Sequence, residues 1–141
     1  ESLFTVTIPI VAKDYHEMSN VVLNFTKEDT LSSYSETIVK KSEAGTFHVI
    51  VSINGETKTN QIVNTAFMTA EEYRENPPFE IAGLNRTKFF KCMEVPALVG
   101  AAVMLACEGA CMLIVPCIPC LALNGGFMIS SVSRCAYKAW D

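Results

Sequence analysis

The stretch Val95–Val132, VPALVGAAVMLACEGACMLIVPCIPCLALNGGFMISSV, decides the reading of this chain. It carries a single charge, Glu108, and holds four of the six cysteines. The six stand at 92, 107, 111, 117, 120 and 135, and taken outside-in their midpoints fall together at Leu113 and Ile114. A chain that doubles back there brings Cys92 to Cys135, Cys107 to Cys120 and Cys111 to Cys117, the pattern of a helical hairpin stapled by nested disulfides. The two outer spacings, 92 to 107 and 120 to 135, are equal and amount to about four helical turns. Six cysteines allow many connectivities, and pairing Cys107 with Cys117 and Cys111 with Cys120 is an alternative the spacing also permits.

Charge is divided unevenly around this stretch. Residues 1–91 contain nine of the eleven lysines and arginines and twelve of the fifteen acids. Residues 92–141 contain every cysteine, two basic residues and three acidic ones. The net charge of −4 gives no electrostatic ground for a nucleic-acid partner. The cysteine density points to an oxidising compartment, so a secreted or extracellular protein is expected. The chain begins at Glu1 without a signal-like segment, which suits a secreted protein whose leader has been removed. Asn24-Phe25-Thr26 and Asn85-Arg86-Thr87 match the N-glycosylation acceptor pattern.

Residues 1–75 read as a small α+β domain. Phe4 to Val11 alternates apolar and polar residues and predicts a strand, with Pro9 marking an edge or a bulge. Val21 to Phe25 is a second strand. Residues 28–41 are expected to be helical, with Thr30 as N-cap and Leu31, Tyr34, Ile38 and Lys41 at helical spacing. Thr46 to Ile53 predicts a strand with Phe47, Val49, Val51 and Ile53 on one face. Asn54-Gly55 signals a type I′ hairpin turn, and Glu56 to Phe67 supplies the return strand. Thr69 to Glu75 reads as a short capped helical turn. Residues 76–91 read as a linker with Asn76-Pro77-Pro78 and Gly83. Its basic run of Arg86, Lys88 and Lys91 makes Lys88 and Lys91 a candidate cleavage region. Residues 92–141 form the cysteine-rich hydrophobic hairpin: a helix over Glu94 to Cys111, a turn over Met112 to Pro116, and a second arm starting at Pro119 and interrupted at Gly125-Gly126 into two shorter helices, the last an amphipathic one over Phe127 to Trp140. The fold class expected is therefore α+β, a small N-terminal antiparallel sheet with a helix, followed by an all-α disulfide-stapled hydrophobic helical hairpin.

Two chemical readings compete with disulfides. Cys117-Ile118-Pro119-Cys120 has the C-x-x-C spacing of thiol–disulfide oxidoreductases, but no strand precedes it to supply their βαβ setting. Four thiolates from Cys107, Cys111, Cys117 and Cys120 satisfy a zinc ion in number, yet they are embedded in Leu, Ile, Val and Met instead of polar knuckles. His16 and His48 lie far from the cysteines in sequence. No Ser-His-Asp set, phosphate-cradling glycine loop or paired-carboxylate motif is visible, so no enzyme, cofactor, metal or small-molecule substrate is expected.

Each apolar arm is slightly short of the roughly 20 residues a spanning helix needs. The partner expected is a lipid membrane, with oligomers as a further use of the same apolar surface. The residues expected to meet lipid are Leu98, Val103, Leu105, Leu113, Ile114, Val115, Leu121, Leu123, Phe127 and Ile129, with Trp140 as an aromatic interface anchor beside Arg134, Tyr137 and Lys138.

The runs ACEGAC (Ala106 to Cys111), VPCIPC (Val115 to Cys120) and LNGGF (Leu123 to Phe127) resemble the halocin-like bacteriocin precursors. The resemblance covers about the C-terminal third of the chain. It implies a secreted antimicrobial precursor in which residues 1–91 act as a pro-region or shield and the hydrophobic C-terminal peptide acts on the membranes of competing cells. A non-enzymatic surface or binding protein, anchored or oligomerised through its helical unit, is the alternative.

Overall fold

The computed structural model describes residues 4–75, 84–107 and 109–140, apart from the side chains of residues 73, 74, 97 and 98. Five strands, β1 (Phe4–Pro9), β2 (Asn20–Phe25), β3 (Leu31–Lys41), β4 (Thr46–Ile53) and β5 (Glu56–Ala66), form one antiparallel meander in sequence order. Helix α1 (Ala70–Glu75) follows the sheet, and α2 (Arg86–Met93), α3 (Ala97–Cys107), a 3-10 turn (Ala110–Met112), α4 (Ile114–Gly125) and α5 (Ile129–Ala139) fill the C-terminal part.

The expected fold class is corrected. The sheet is not a small one with a helix in it: it has five strands and takes up most of the N-terminal two thirds. Residues 31–41, expected to be helical, are its central strand. The spacing of Leu31, Tyr34 and Ile38 fits a helix, but Thr37-Ile38-Val39 is a β-branched run and Ser32, Ser33 and Ser35 are weak helix formers. The deciding term is non-local. As a strand, β3 buries Ser35, Thr37 and Val39 and pairs on both sides, with Val39 opposite Val49 and Ser35 opposite Val22. A central strand paired on both sides, with Ile38 buried on its other face, exceeds what local propensity offers. In the C-terminal part the second arm divides after Gly125 into α4 and α5, the interruption expected at Gly125-Gly126, while α4 starts at Ile114 instead of Pro119 and α2 takes in residues 86–91, expected to be linker. Asn76-Pro77-Pro78, Gly83 and Glu108 lie outside the described residues.

The other local signals act as read. Asn54 and Gly55 both take positive φ, 51° and 85°, as a type I′ turn requires. Thr69 and Glu72 exchange backbone-to-side-chain hydrogen bonds at 3.0 and 3.2 Å, a capping box that starts α1. Asn85 caps α2 by accepting from the Lys88 N–H.

The sheet is two-faced. Val22, Val39, Phe47, Val49, Val51 and Val63 point to the core, where they join Phe89, Val103, Met104, Leu105, Leu121 and Val132 of the helices in one hydrophobic cluster. The opposite face holds the pairs Phe4–Phe25, Val6–Leu23 and Ile8–Val21 and leaves Phe4, Val6, Ile8, Leu31 and Ile62 exposed. The loop before β2 closes one end of the core. There His16 donates from Nε2 to the Met68 carbonyl and accepts at Nδ1 from the Met18 N–H, with its ring edge-on to Phe47 and Phe67.

Candidate functional site

The disulfides define the candidate site. Cys92 bonds Cys135, Cys107 bonds Cys120 and Cys111 bonds Cys117, the nested order, with Cα separations of 5.6, 5.8 and 4.1 Å. The alternative pairing of Cys107 with Cys117 is not formed. The two cysteines of the C-x-x-C run are thus committed to different partners, Cys117 to Cys111 and Cys120 to Cys107. No cysteine is free, and the described residues contain no group of His, Cys, Asp and Glu able to hold a metal ion.

The bridges explain why α4 is a helix. Its sequence, IVPCIPCLALNG, is poor in strong helix formers, and Pro119 removes one backbone donor from its interior. Both halves are fixed from outside instead, Cys117 to the 3-10 turn and Cys120 to the end of α3. Gly126 ends the helix in the left-handed conformation at φ 67°, with its N–H and that of Phe127 both donating to the Ala122 carbonyl. The outermost bridge joins α2 to α5, whose far ends meet where the Asn85 N–H donates to the Ala139 carbonyl and Leu84 pairs with Trp140.

Asn124, the one polar side chain of α4, points inward. Its Nδ2 donates to the Cys120 carbonyl at 2.9 Å and lies against the sulfurs of Cys107 and Cys120, while its Oδ1 accepts from Thr59 of β5. Gln61 of β5 donates to the Ala106 carbonyl at the end of α3. These two contacts lock the stapled unit to the sheet.

With Asn124 turned inward beside Cys117, Ile118 and Leu121, the outward face of α4 is wholly apolar. Val115, Pro119 and Leu123 recur at every fourth residue along it, with Pro116 beside them, all exposed. The stripe is extended by Met112 and Leu113 before the helix and by Met128 and Ile129 after it. Leu113 is 69% exposed and Val115 74%. The solvent face of a globular helix is ordinarily polar, so α4, apolar inward at Ile118 and Leu121 and apolar outward as well, departs from the amphipathic pattern. Helix α5, packed against α4, exposes Arg134, Tyr137 and Lys138.

The residues expected to meet lipid therefore divide. Leu113, Val115, Leu123 and Ile129 are exposed on or beside the stripe; Ile114, Phe127 and Trp140 are half-buried. Val103, Leu105 and Leu121 are core residues and offer no surface in this conformation. The Leu98 side chain lies outside the described residues. Met112, Pro116, Pro119 and Met128 were missed, because placing a turn over Met112 to Pro116 and starting the arm at Pro119 hid the fourfold spacing from 115 to 123. The open sheet face was missed with β3. Lys88 and Lys91 are exposed, but on α2 instead of in a linker. Of the glycosylation candidates, Asn24 is buried and donates to Ser33, whereas Asn85 is the α2 cap.

Among the described residues, no helix is long and apolar enough to cross a membrane. No family model, curated protein or solved structure matches this chain.

Proposed function

We propose that this is a secreted, non-enzymatic, membrane-active protein of the antimicrobial, bacteriocin-like kind, whose disulfide-stapled helical unit acts on the bilayers of target cells. The observation that carries the reading is the exposed, wholly apolar outer face of α4. An uninterrupted apolar stripe on the outside of a helix has a thermodynamic reason to leave water. Burying a Val, Leu or Ile side chain is worth roughly 1.5–3 kcal/mol, so a partial gain from several of them suffices for surface binding. At twelve residues α4 is about 18 Å long, shorter than the roughly 30 Å hydrocarbon core. It is suited to lying in the interface, with the Arg134, Tyr137 and Lys138 side chains at headgroup level.

In the precursor form of this reading, residues 1–91 shield the apolar helices until cleavage near Lys88–Lys91 frees residues 92–141. The burial of Val103, Met104, Leu105 and Leu121 between sheet and helices supports a shield. A second reading, an intact surface protein anchored through α4, is favoured by the continuous core and by the Thr59–Asn124 and Gln61–Ala106 hydrogen bonds that tie the two parts together.

The test is co-sedimentation and dye leakage with anionic phosphatidylglycerol vesicles. The oxidised chain binds, and the double substitution Leu113→Glu, Val115→Glu reduces binding at least tenfold, about 1.4 kcal/mol. Leakage that appears only after cleavage selects the precursor form, and leakage by the intact chain selects the anchored form. If neither the intact nor the cleaved protein binds vesicles and the chain instead self-associates through α4, the membrane reading fails.

A further inference from the structure

The two edges of the sheet offer a neighbour different things. The strand order puts β1 at one edge and β5 at the other. β5 carries Glu56 and Lys58, joined by an ion pair at 3.0 Å, and continues through polar Thr59, Asn60 and Gln61. Charge on an edge strand deters pairing with another chain. β1, FTVTIP, carries no charge, and neither does its neighbour β2, NVVLNF. Phe4, Val6 and Ile8 lie on the open face and are still 43, 40 and 46% exposed with β2 beside them. Each therefore has apolar area left to bury.

The backbone of β1 fixes which groups face outward. The Ile10 N–H donates to the Ser19 carbonyl, in line with the register that pairs Ile8 with Val21 and Phe4 with Phe25. In an antiparallel ladder the N–H and C=O groups turn to the same side at every second residue. Phe4, Val6 and Ile8 thus turn theirs toward β2, and Thr5, Thr7 and Pro9 turn theirs to the outer edge. Among the described residues no further strand pairs with that edge. Pro9 has no N–H, so the donors there belong to Thr5 and Thr7.

We propose that β1 is the contact of a two-fold dimer, in which the β1 strands of two copies pair antiparallel about Val6. Thr5 exchanges both of its backbone hydrogen bonds with Thr7 of the second copy, and Thr7 does the same with Thr5. Both edge donors find acceptors, and Pro9 stays beyond this pairing. The same register sets Val6 against Val6 and Phe4 against Ile8 on the open face, joining two apolar bands into one. The charge pattern selects a second copy as the partner. Across a two-fold axis a strand meets itself, so a charged edge such as β5 sets like charges close together, whereas β1 is neutral and self-matching. In a chain of net charge −4, the uncharged edge is where two copies meet with least repulsion. A six-residue strand is about 20 Å long. That is short of what a permanent dimer buries, so the contact is transient, with a dissociation constant on the order of 10–100 μM.

Sedimentation equilibrium of the oxidised full-length chain, from about 1 to about 300 μM, is expected to show monomer and dimer in exchange. Val6→Lys, which sets two ammonium groups together at the axis, and Thr7→Pro, which removes an edge donor, each weaken the dimer at least tenfold, or about 1.4 kcal/mol. Ile62→Lys, on β5, leaves it unchanged. Should Thr7→Pro fail to fold, as judged by circular dichroism, Val6→Lys and the cysteine variants decide. Cross-linking reads the register. In this pairing the two Val6 Cα atoms stand about 4.5 Å apart, within disulfide reach, and the two Ile8 Cα atoms about 14 Å apart. Val6→Cys therefore gives a covalent dimer on mild oxidation, and Ile8→Cys does not. The proposal is overturned if the chain sediments as a monomer throughout, if the dimer survives Val6→Lys, or if Ile8→Cys cross-links as readily as Val6→Cys. The double substitution Leu113→Glu, Val115→Glu leaves this dimer intact, so its failure and that of the membrane reading are separately visible. Loss of the dimer in that variant, with Val6→Lys unaffected, assigns the contact to α4 and overturns β1.

Discussion

Single side chains set the tolerances of this fold. His16 is held as one tautomer: a carbonyl can only accept, so Nε2 carries the proton, and Nδ1 is occupied by the Met18 N–H. Burial pushes its pKa below the ordinary imidazole value, against a weaker upward pull from the Met68 carbonyl and Glu17. Well above about pH 6.5 the ring is neutral in both folded and unfolded chains, and its contribution is complete. As pH falls below that, the unfolded chain takes up the proton first, so stability drops until the lower folded pKa is reached and then levels. Urea midpoints measured from pH 8 to 5 should decline through this window, and His16→Gln should flatten that part of the profile. An unchanged profile would place the acid sensitivity elsewhere. Gly125 is a second tight point, because a Cβ there would run into the Phe127 ring folded back over it. Gly125→Ala should cost about 1–3 kcal/mol in denaturant unfolding. Neither role was legible in the sequence. His16 sits in an irregular loop with no periodicity, and Gly125-Gly126 announces only a break.

At the scale of elements, local signals were reliable where the partner was adjacent. The β4–β5 hairpin follows from Asn54-Gly55 and the alternation on either side of it, and α1 from its capping box. β3 was misread because its apolar residues satisfy helical spacing while its partners lie in β2 and β4, where no local window sees them. The cysteine spacing was legible for a related reason: nesting is a property of positions, not of conformation, so it does not depend on where each helix starts and stops. The bridges close loops with sequence separations of 43, 13 and 6 residues for Cys92–Cys135, Cys107–Cys120 and Cys111–Cys117. On the chain-entropy account these contribute about 4, 3 and 2 kcal/mol. Replacing each pair with alanine should lower the urea midpoint in that order, and the reverse order would mean that the inner bridges act on the folded state. The α4 stripe was half legible. The absence of charge from Val95 to Val132 marks the region, but which residues face out depends on Asn124 turning inward to Thr59, a contact 65 residues away in sequence.

At the scale of the whole molecule, one hydrophobic cluster takes residues from both the sheet and the helices. The charge-rich N-terminal part and the apolar C-terminal part differ in composition, yet they close one hydrophobic core, with Val39, Phe47, Val49 and Val51 of the sheet against Met104, Leu105 and Leu121 of the helices. Composition separates the two parts because charge follows the exposed strands and turns, whereas the core is shared. Among the described residues, the α4 stripe and the open sheet face at Phe4, Val6 and Ile8 stay outside it, and membrane contact is assigned to the first. The most direct measurement places a tryptophan on each. Val115→Trp and Val6→Trp, both in a Trp140→Phe background, are mixed with anionic vesicles whose acyl chains carry bromine, and fluorescence quenching is read. The account predicts strong quenching with a blue shift at position 115 and little at position 6. Quenching at position 6 with none at 115, or none at either, would contradict it.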